Sequence, residues 1–490
     1  MKMFRLVALV LCLAVPMRGF ADGLPDLGDE SQTTISPQIE RRIGEQVMRD
    51  IHQQDHDYLD DPDITDYLNN LGYRLVSSSA GARQDFEFFV LKDPTLNAFA
   101  LPGGFIGVHT GLIASSQSES ELASVLAHEI GHVVQRHMAR QVGAQGQATL
   151  PILAALMIGL LAARSNAQVA QAAIMGAQAA SIQTQLSYTR AFEREADRVG
   201  LQILADGGFD VRAMPAFFER LQRYTRVYEN NAPTYLRTHP VTSERIADIE
   251  NRIQSAPYKQ APDSLEFSLV QAKIKADQEQ TADALVYFAK ELRDTGATAA
   301  LRAHYGMARA YLRAKDYAAA RREVDAIRKA ASQSPDARSP MIENLSGQVR
   351  LAAGDFAGGL AVYVEALKTY PHSKALIYAY GEALLGARRS ADAGSFVNGQ
   401  LQIYPRDEKL FDLQARIYAA QGKRLAHYRA VGELLALRGN LPAAIEQFVL
   451  AQKSGDGDFF EQSGVDARLR ELRRLRIEEM KDQKDSKQPK

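Results

Sequence analysis

The stretch LAHEIGH, Leu126 to His132, constrains this chain more than any other. Its two histidines stand four residues apart, and a glutamate follows the first. That spacing serves chemistry only on a helix, where residues i and i+4 lie on one face a turn apart. There His128 and His132 can each aim an imidazole nitrogen at one ion. Zinc accepts neutral imidazole and, when three protein ligands are supplied, keeps a position for water. Glu129 can reach that water as general base, while the metal lowers the water's pKa toward neutrality. The bland counterpart is a helix that carries two surface histidines, so the rest of the chain has to supply a third ligand.

The extended metzincin pattern does not supply it. Gln135 and Met138 occupy the places of its glycine and third histidine, and His137 falls one residue out of register, which predicts that it points elsewhere. FEREAD is the better source. Glu193 and Asp197 are four apart on a second predicted helix, so Glu193 can ligate while Asp197 faces the same way. A carboxylate there accepts the second N–H of a ligating histidine and fixes its tautomer. Glu195 lies off that face.

The rest of the chain sets the frame. Its 490 residues allow two or three domains, and 46% apolar content supports a sizeable core. A net charge of −1 gives no strongly basic footprint, so nucleic acid is not an expected partner. Residues 1–21 read as a signal peptide: Lys2 and Arg5 precede an apolar run from Leu6 to Val15, and Gly19-Phe20-Ala21 predicts cleavage after Ala21. The only cysteine, Cys12, leaves with it, so the mature chain has no disulfide. Helices are expected from Pro37 and from about Asp63. Strands are expected over Phe86–Leu91, Leu96–Leu101 and Phe105–Ile113, with turns at Asp93-Pro94 and Pro102-Gly103-Gly104. Ser118 to Glu121 reads as a capping box that starts the zinc helix. Ala148 to Ala163 is apolar but short for a membrane span, which suits a buried helix or a lid and leaves a peripheral membrane contact open.

After about Pro262 the sequence becomes rich in Ala, Leu and Arg. Tyr370-Pro371 and Tyr404-Pro405 lie 34 residues apart, the tetratricopeptide period. Asp316-Tyr317 and Asp355-Phe356 mark equivalent turns, with Gly422-Lys423 and Gly439-Asn440 as later ones. The expected architecture is mainly α: an α+β zinc metalloprotease domain with a small sheet over 22–262, then an all-α tetratricopeptide solenoid over 263–465. A charged helical tail over 466–490, with a solvated face, closes the chain.

HEIGH followed by E-x-x-A-D resembles the gluzincin peptidases that include the CAAX prenyl protease and a bacterial heat-shock membrane protease. LNAFALPGG with IGVHTGLI is similar to that family's strand before the zinc helix, and THPVTSERI (Thr238–Ile246) to its late H-P-x-x-x-x-R element. The resemblance implies one zinc ion held by His128, His132 and Glu193, with Glu129 as base. His239 would sit near the metal, where in some relatives the equivalent histidine takes the fourth position and shuts the site. Arg245 would lie near the active site and help stabilise the oxyanion. Asn97, Ala98 and Phe99 would lie on an edge strand that pairs with an extended substrate, a mode that needs main-chain hydrogen bonds rather than sequence. With the signal peptide and repeats, it further implies a periplasmic protease of a Gram-negative bacterium. Its substrates would be unfolded or misfolded outer-membrane proteins, and its repeats would meet the beta-barrel assembly machinery. Two rivals remain: a chaperone or scaffold whose zinc site is mostly shut by His239, and a processing peptidase anchored through Ala148–Ala163. His109 reads as a structural residue on its strand.

Overall fold

The structure is a computed structural model that describes residues 35–54, 57–79, 81–82, 84–145, 190–227, 234–254, 259, 261–293, 296–331 and 337–485. The expected signal peptide and the apolar Ala148–Ala163 segment lie outside the described residues. Among those residues no helix is long and apolar enough to cross a membrane.

Two helices precede the sheet, α1 (Pro37–Gln54) and α2 (Pro62–Ser77). Local chemistry starts α2: Asp61 Oδ1 accepts the Asp63 and Ile64 amides, and Pro62 stands in the first turn, where no amide donor is needed. Three strands follow: β1 (Glu87–Leu91), β2 (Ala98–Leu101) and β3 (Phe105–His109). Their spatial order is β1-β3-β2, with β1 parallel and β2 antiparallel to β3. β2 is therefore an edge.

The third expected strand is too long by a turn. Beyond His109 the chain coils into a short helix, α3 (Thr110–Ser115). The cause is the neighbouring Asp93-Pro94 loop: Asp93 O accepts from both the Gly111 amide and the Thr110 hydroxyl. A Cβ on Gly111 would stand 2.2 Å from Pro94 O, so only glycine permits this approach.

The helix that carries HEIGH, α4 (Glu119–Val134), begins at Ser118, whose hydroxyl accepts the Glu121 amide. Glu121 itself turns outward to the Gln117 amide and Arg220, so the box closes one residue further out than its ideal form. After α5 (His137–Gln145) come α6 (Arg190–Asp206), α7 (Ala213–Val227), α8 (Thr234–Thr238) and α9 (Ser243–Ile253).

The repeat half runs as antiparallel pairs: α10 (Leu265–Gln278), α11 (Thr281–Glu291), α12 (Ala297–Arg313), α13 (Tyr317–Ala331), α14 (Pro340–Ala352), α15 (Phe356–Thr369), α16 (Lys374–Gly386), α17 (Ser390–Ile403), α18 (Glu408–Ala420), α19 (Arg424–Leu437) and α20 (Leu441–Gln452). The turns between paired helices carry a left-handed residue: Lys315, Gly354, Arg388, Gly422 and Gly439 all have positive φ. Gly354, Arg388 and Gly422 are spaced by 34 residues, which sharpens the period.

Two boundaries differ from the sequence reading. One continuous core joins protease residues such as Leu68, Ile106 and Leu126 to Phe267, Phe288 and Val349 of the first repeat helices, so Pro262 separates patterns but not cores. The last helix, α21 (Phe459–Asp485), starts well before Asp466. Its Val465, Leu469 and Leu472 are buried against Leu425, Ala444 and Phe448. That apolar stripe, spaced by four and three residues, docks the charged segment onto the last repeat.

Candidate metalloprotease centre

Close helix packing builds the site. A Cβ on Gly131 of α4 would stand 2.9 Å from Ala196 O, and one on Gly200 of α6 would stand 2.9 Å from Ala127 O. Two glycines thus let the helix backbones touch, and the face of α6 that bears Glu193 and Asp197 meets the face of α4 that bears His128 and His132. His239 arrives from the segment after α8. The donor atoms of His128, His132, Glu193 and His239 all lie within 4.8 Å of one another, and all four residues are buried.

The protons decide what this cluster can hold. His128 Nδ1 lies 2.9 Å from Asp197 Oδ1, a short though bent contact that takes the Nδ1 proton. His132 Nδ1 lies 2.8 Å from His137 Nδ1, and His137 Nε2 lies 3.1 Å from Glu195 Oε2. The Glu195 carboxylate accepts from His137 Nε2–H, so His137 Nδ1 accepts from His132 Nδ1–H. The two histidines of α4 therefore turn Nε2 to the centre, 3.0 Å apart. Burial opposes charge on His128, yet Asp197 and Glu193 raise its ring to about 9, so a bound ion takes the place of its Nε2 proton. Two lone pairs at that distance repel, so either a shared proton or a metal ion lies between them.

The distances fit a metal ion. Donors about 2.0–2.1 Å from zinc at tetrahedral corners stand about 3.3 Å apart. His128 Nε2 is 3.4 Å from His239 Nδ1 and 3.5 Å from Glu193 Oε2; His132 Nε2 is 3.4 Å from Glu193 Oε1; His239 Nδ1 is 3.0 Å from Glu193 Oε1. The Glu193 carboxyl is buried, yet His239, His128 and His132 hold it well below the usual carboxylate range. For His132 burial wins, and its ring stays neutral, as a ligand requires.

Glu129 is fully buried; the Ala100 amide is directed at its carboxyl, but no well-aligned hydrogen bond reaches either oxygen among the described residues. Burial pushes its carboxyl up, with His239 and His128 pulling it back. His239 Nε2 is 3.5 Å from Glu129 Oε1, so one imidazole faces the cluster with Nδ1 and the base with Nε2.

Arg245 takes a different place from the one expected of an oxyanion donor. Its Nε and Nη2 hold both Asp197 oxygens at 2.7 Å. Nη1 donates to Pro240 O and contacts Glu193 Oε2 at 2.6 Å. These bonds position Glu193, the Asp197 carboxylate beside His128, and the peptide after His239. They also explain the H-P-x-x-x-x-R spacing: Thr242 caps α9, and Arg245 on its first turn reaches back to Pro240.

On the edge strand, the His109 amide donates to Asn97 O. Bonded pairs alternate in an antiparallel ladder, so Asn97, Phe99 and Leu101 turn their main-chain groups to β3, while Ala98 and Ala100 turn theirs outward. Of the three residues named from sequence, only Ala98 faces outward, and Ala100 joins it. The Asn97 amide instead meets His109 Nε2 at 3.4 Å, and His109 is braced by Thr95 at 2.9 Å.

The sequence reading missed His137 and Glu195. On a continued helix His137 would point away, but α4 ends at Val134 and Arg136 adopts φ 52°, which swings His137 back onto His132. A non-glycine left-handed residue gives no sequence signal.

Residues 62–253 match Peptidase family M48, and residues 350–417 match a tetratricopeptide repeat. A relative from Vibrio cholerae is 34% identical, over 95% of this chain and 96% of its own length. The beta-barrel assembly-enhancing protease of Escherichia coli K12 is 32% identical, over 93% of this chain and 92% of its own. The mitochondrial metalloendopeptidase OMA1 of Schizosaccharomyces pombe is 28% identical over 46% of this chain and 64% of its own.

Proposed function

Because this chain is a metalloprotease of Peptidase family M48 and belongs with the beta-barrel assembly-enhancing proteases, we propose that it is a periplasmic zinc endopeptidase that cuts extended segments of outer-membrane proteins. The observation that carries the reading is the buried four-donor cluster, in which the Nε2 atoms of His128 and His132 stand 3.0 Å apart and Glu193 and His239 complete the set. His128, His132 and Glu193 would hold the ion, which when bound supplies Lewis acidity toward the scissile carbonyl and the attacking water. Glu129, whose oxygens have no well-aligned hydrogen bond among the described residues, accepts the proton from that water and passes it to the leaving amine. Asp197 and the His137–Glu195 pair fix the ligand tautomers, and Arg245 locks Glu193 and Asp197 in place. A substrate strand added at Ala98 and Ala100 lies along the edge nearest Glu129, whose carboxylate is reached by the Ala100 amide. Misfolded barrels would be degraded, the repeats would meet the assembly machinery, and residues 1–21 would be removed on export.

One observation favours a second reading, in which a chaperone or scaffold function outweighs proteolysis. His239 Nδ1 stands where the fourth donor belongs, and the whole cluster is buried. A fourth protein ligand displaces the catalytic water. Wild type, Glu129→Gln and His239→Ala, assayed for zinc content and casein cleavage, separate the readings. A self-restrained protease binds about one zinc in all three, loses at least about 100-fold in Glu129→Gln, and cleaves faster in His239→Ala. Zinc in every protein with cleavage in none favours the scaffold.

A further inference from the structure

We propose that Tyr235 is the positioning residue that holds His239 as fourth donor and ties that position to the entrance of the edge strand. The inference rests on the reading of His239 as a ligand. Its carrier is α8, a single turn that cannot hold its own shape. Tyr235 anchors that turn at three points. Its amide donates to Leu96 O at 3.3 Å, its carbonyl accepts the His239 amide at 2.8 Å, and its ring stacks on the His239 imidazole at 4.7 Å and 24°.

The imidazole thus has its two nitrogens directed by Glu193, His128 and Glu129, while Tyr235 covers one of its faces. Tyr235 is 1% exposed and is packed edge-on against Phe217 at 6.3 Å. Its hydroxyl has no hydrogen-bond partner among the described residues. A buried phenol usually finds one. The ring and the backbone therefore carry the role, and the oxygen does not.

The connection to substrate follows from the chain. Leu96, which receives the Tyr235 amide, precedes Asn97, which is bonded to His109, and then Ala98, the first residue to face outward. A peptide that pairs with Ala98 and Ala100 loads the same short segment that anchors the ring under His239. Strand addition and the fourth donor share one mechanical element.

The test uses the full mature chain loaded with cobalt(II), whose visible bands are strong in four-coordinate sites and weaken when water raises the coordination number. His239→Ala is expected to weaken the bands. Tyr235→Leu, which keeps apolar volume but removes the stack, is expected to weaken them to the same extent and to lower zinc affinity about 10-fold. Tyr235→Met, a second variant that fills the core, should behave the same, and Tyr235→Phe should match wild type in both measurements. If His239→Ala weakens the bands while folded Tyr235→Leu and Tyr235→Met keep them, the inference is overturned. If His239→Ala leaves the bands unchanged, the ligand reading beneath it falls instead.

Discussion

The two edges of the three-stranded sheet have been treated in opposite ways. The outward main-chain groups of β1 are occupied along its length. The Tyr73 hydroxyl donates to Phe86 O at 2.6 Å, and the Asn69 side chain both accepts the Phe88 amide and donates to Phe88 O. The Leu59 amide then donates to Val90 O, and the Lys92 amide to Asp57 O. One asparagine and one tyrosine of α2, with the chain before that helix, imitate a neighbouring strand. Among the described residues no strand pairs with the outward side of β2 at Ala98 and Ala100; both alanines are buried, and the Ala100 amide is directed at Glu129. An unpaired edge is an aggregation hazard that proteins usually blunt or bury. Among the described residues one edge is closed by its own chain and the other is paired by no strand, the arrangement that the proposed strand addition beside Glu129 would use.

The largest effect should come from closing the open edge. Ala98→Pro removes an outward amide without touching a β3 bond or the Ala100 amide that faces Glu129, and proline is tolerated at edges for that reason. In a His239→Ala background, kcat/KM for casein should fall about 10- to 100-fold, the loss of one or two well-placed main-chain bonds, while zinc content stays the same. Unchanged cleavage would mean that substrates reach Glu129 by another route. The reciprocal change opens the closed edge. Asn69→Ala leaves the Phe88 N–H and C=O unpaired in a residue that is 1% exposed. Each buried orphan costs about 1–3 kcal/mol, so denaturant unfolding should show a loss of about 2–4 kcal/mol, with concentration-dependent association by light scattering. A variant of wild-type stability would show that the asparagine imitates a strand without closing the edge.

The difference between the edges could not be read in advance, whereas the residues that cluster at the centre could. His128, His132 and Glu193 follow from helical spacing, a local property of the sequence. The edges depend on the order β1-β3-β2, which places the second strand outside the third and is set by contacts remote in sequence. The repeats show the same division. Gly354, Gly422 and Gly439 announce left-handed turns, but Arg388 makes the same turn without a glycine and hides one unit of the period. At the end of the chain, the charges around Leu469 and Leu472 obscured an apolar stripe that was in the letters all along. His137 was misplaced because a helix end at Val134, and not a residue type, decides where it points.

The smallest effect concerns α2, which closes β1 on one side and meets the repeats on the other. Asp66 of this helix accepts the Ala375 amide at 3.1 Å and the Ser373 hydroxyl at 3.3 Å, capping the start of α16 from another part of the fold. Burial pushes its carboxyl up to about 6, against the pull of those donors. A raised acid keeps its proton longer in the folded state, so the folded chain binds more protons between about pH 4 and 6. This group's contribution therefore weakens as pH rises through that window and stays weaker above it. Asp66→Asn keeps an acceptor and removes the titration. Its melting temperature relative to wild type should climb from pH 4 to pH 7, equivalent to about 1–2 kcal/mol once partial exposure is discounted. A relative decline would mean that the α16 amides and helix dipole favour the charged carboxylate more than burial opposes it. Amide exchange at Phe88 in the same variant completes the comparison. The Asn69 bonds are local to α2 and β1, so protection there should be unchanged, and a loss would show that the repeats hold the closed edge shut.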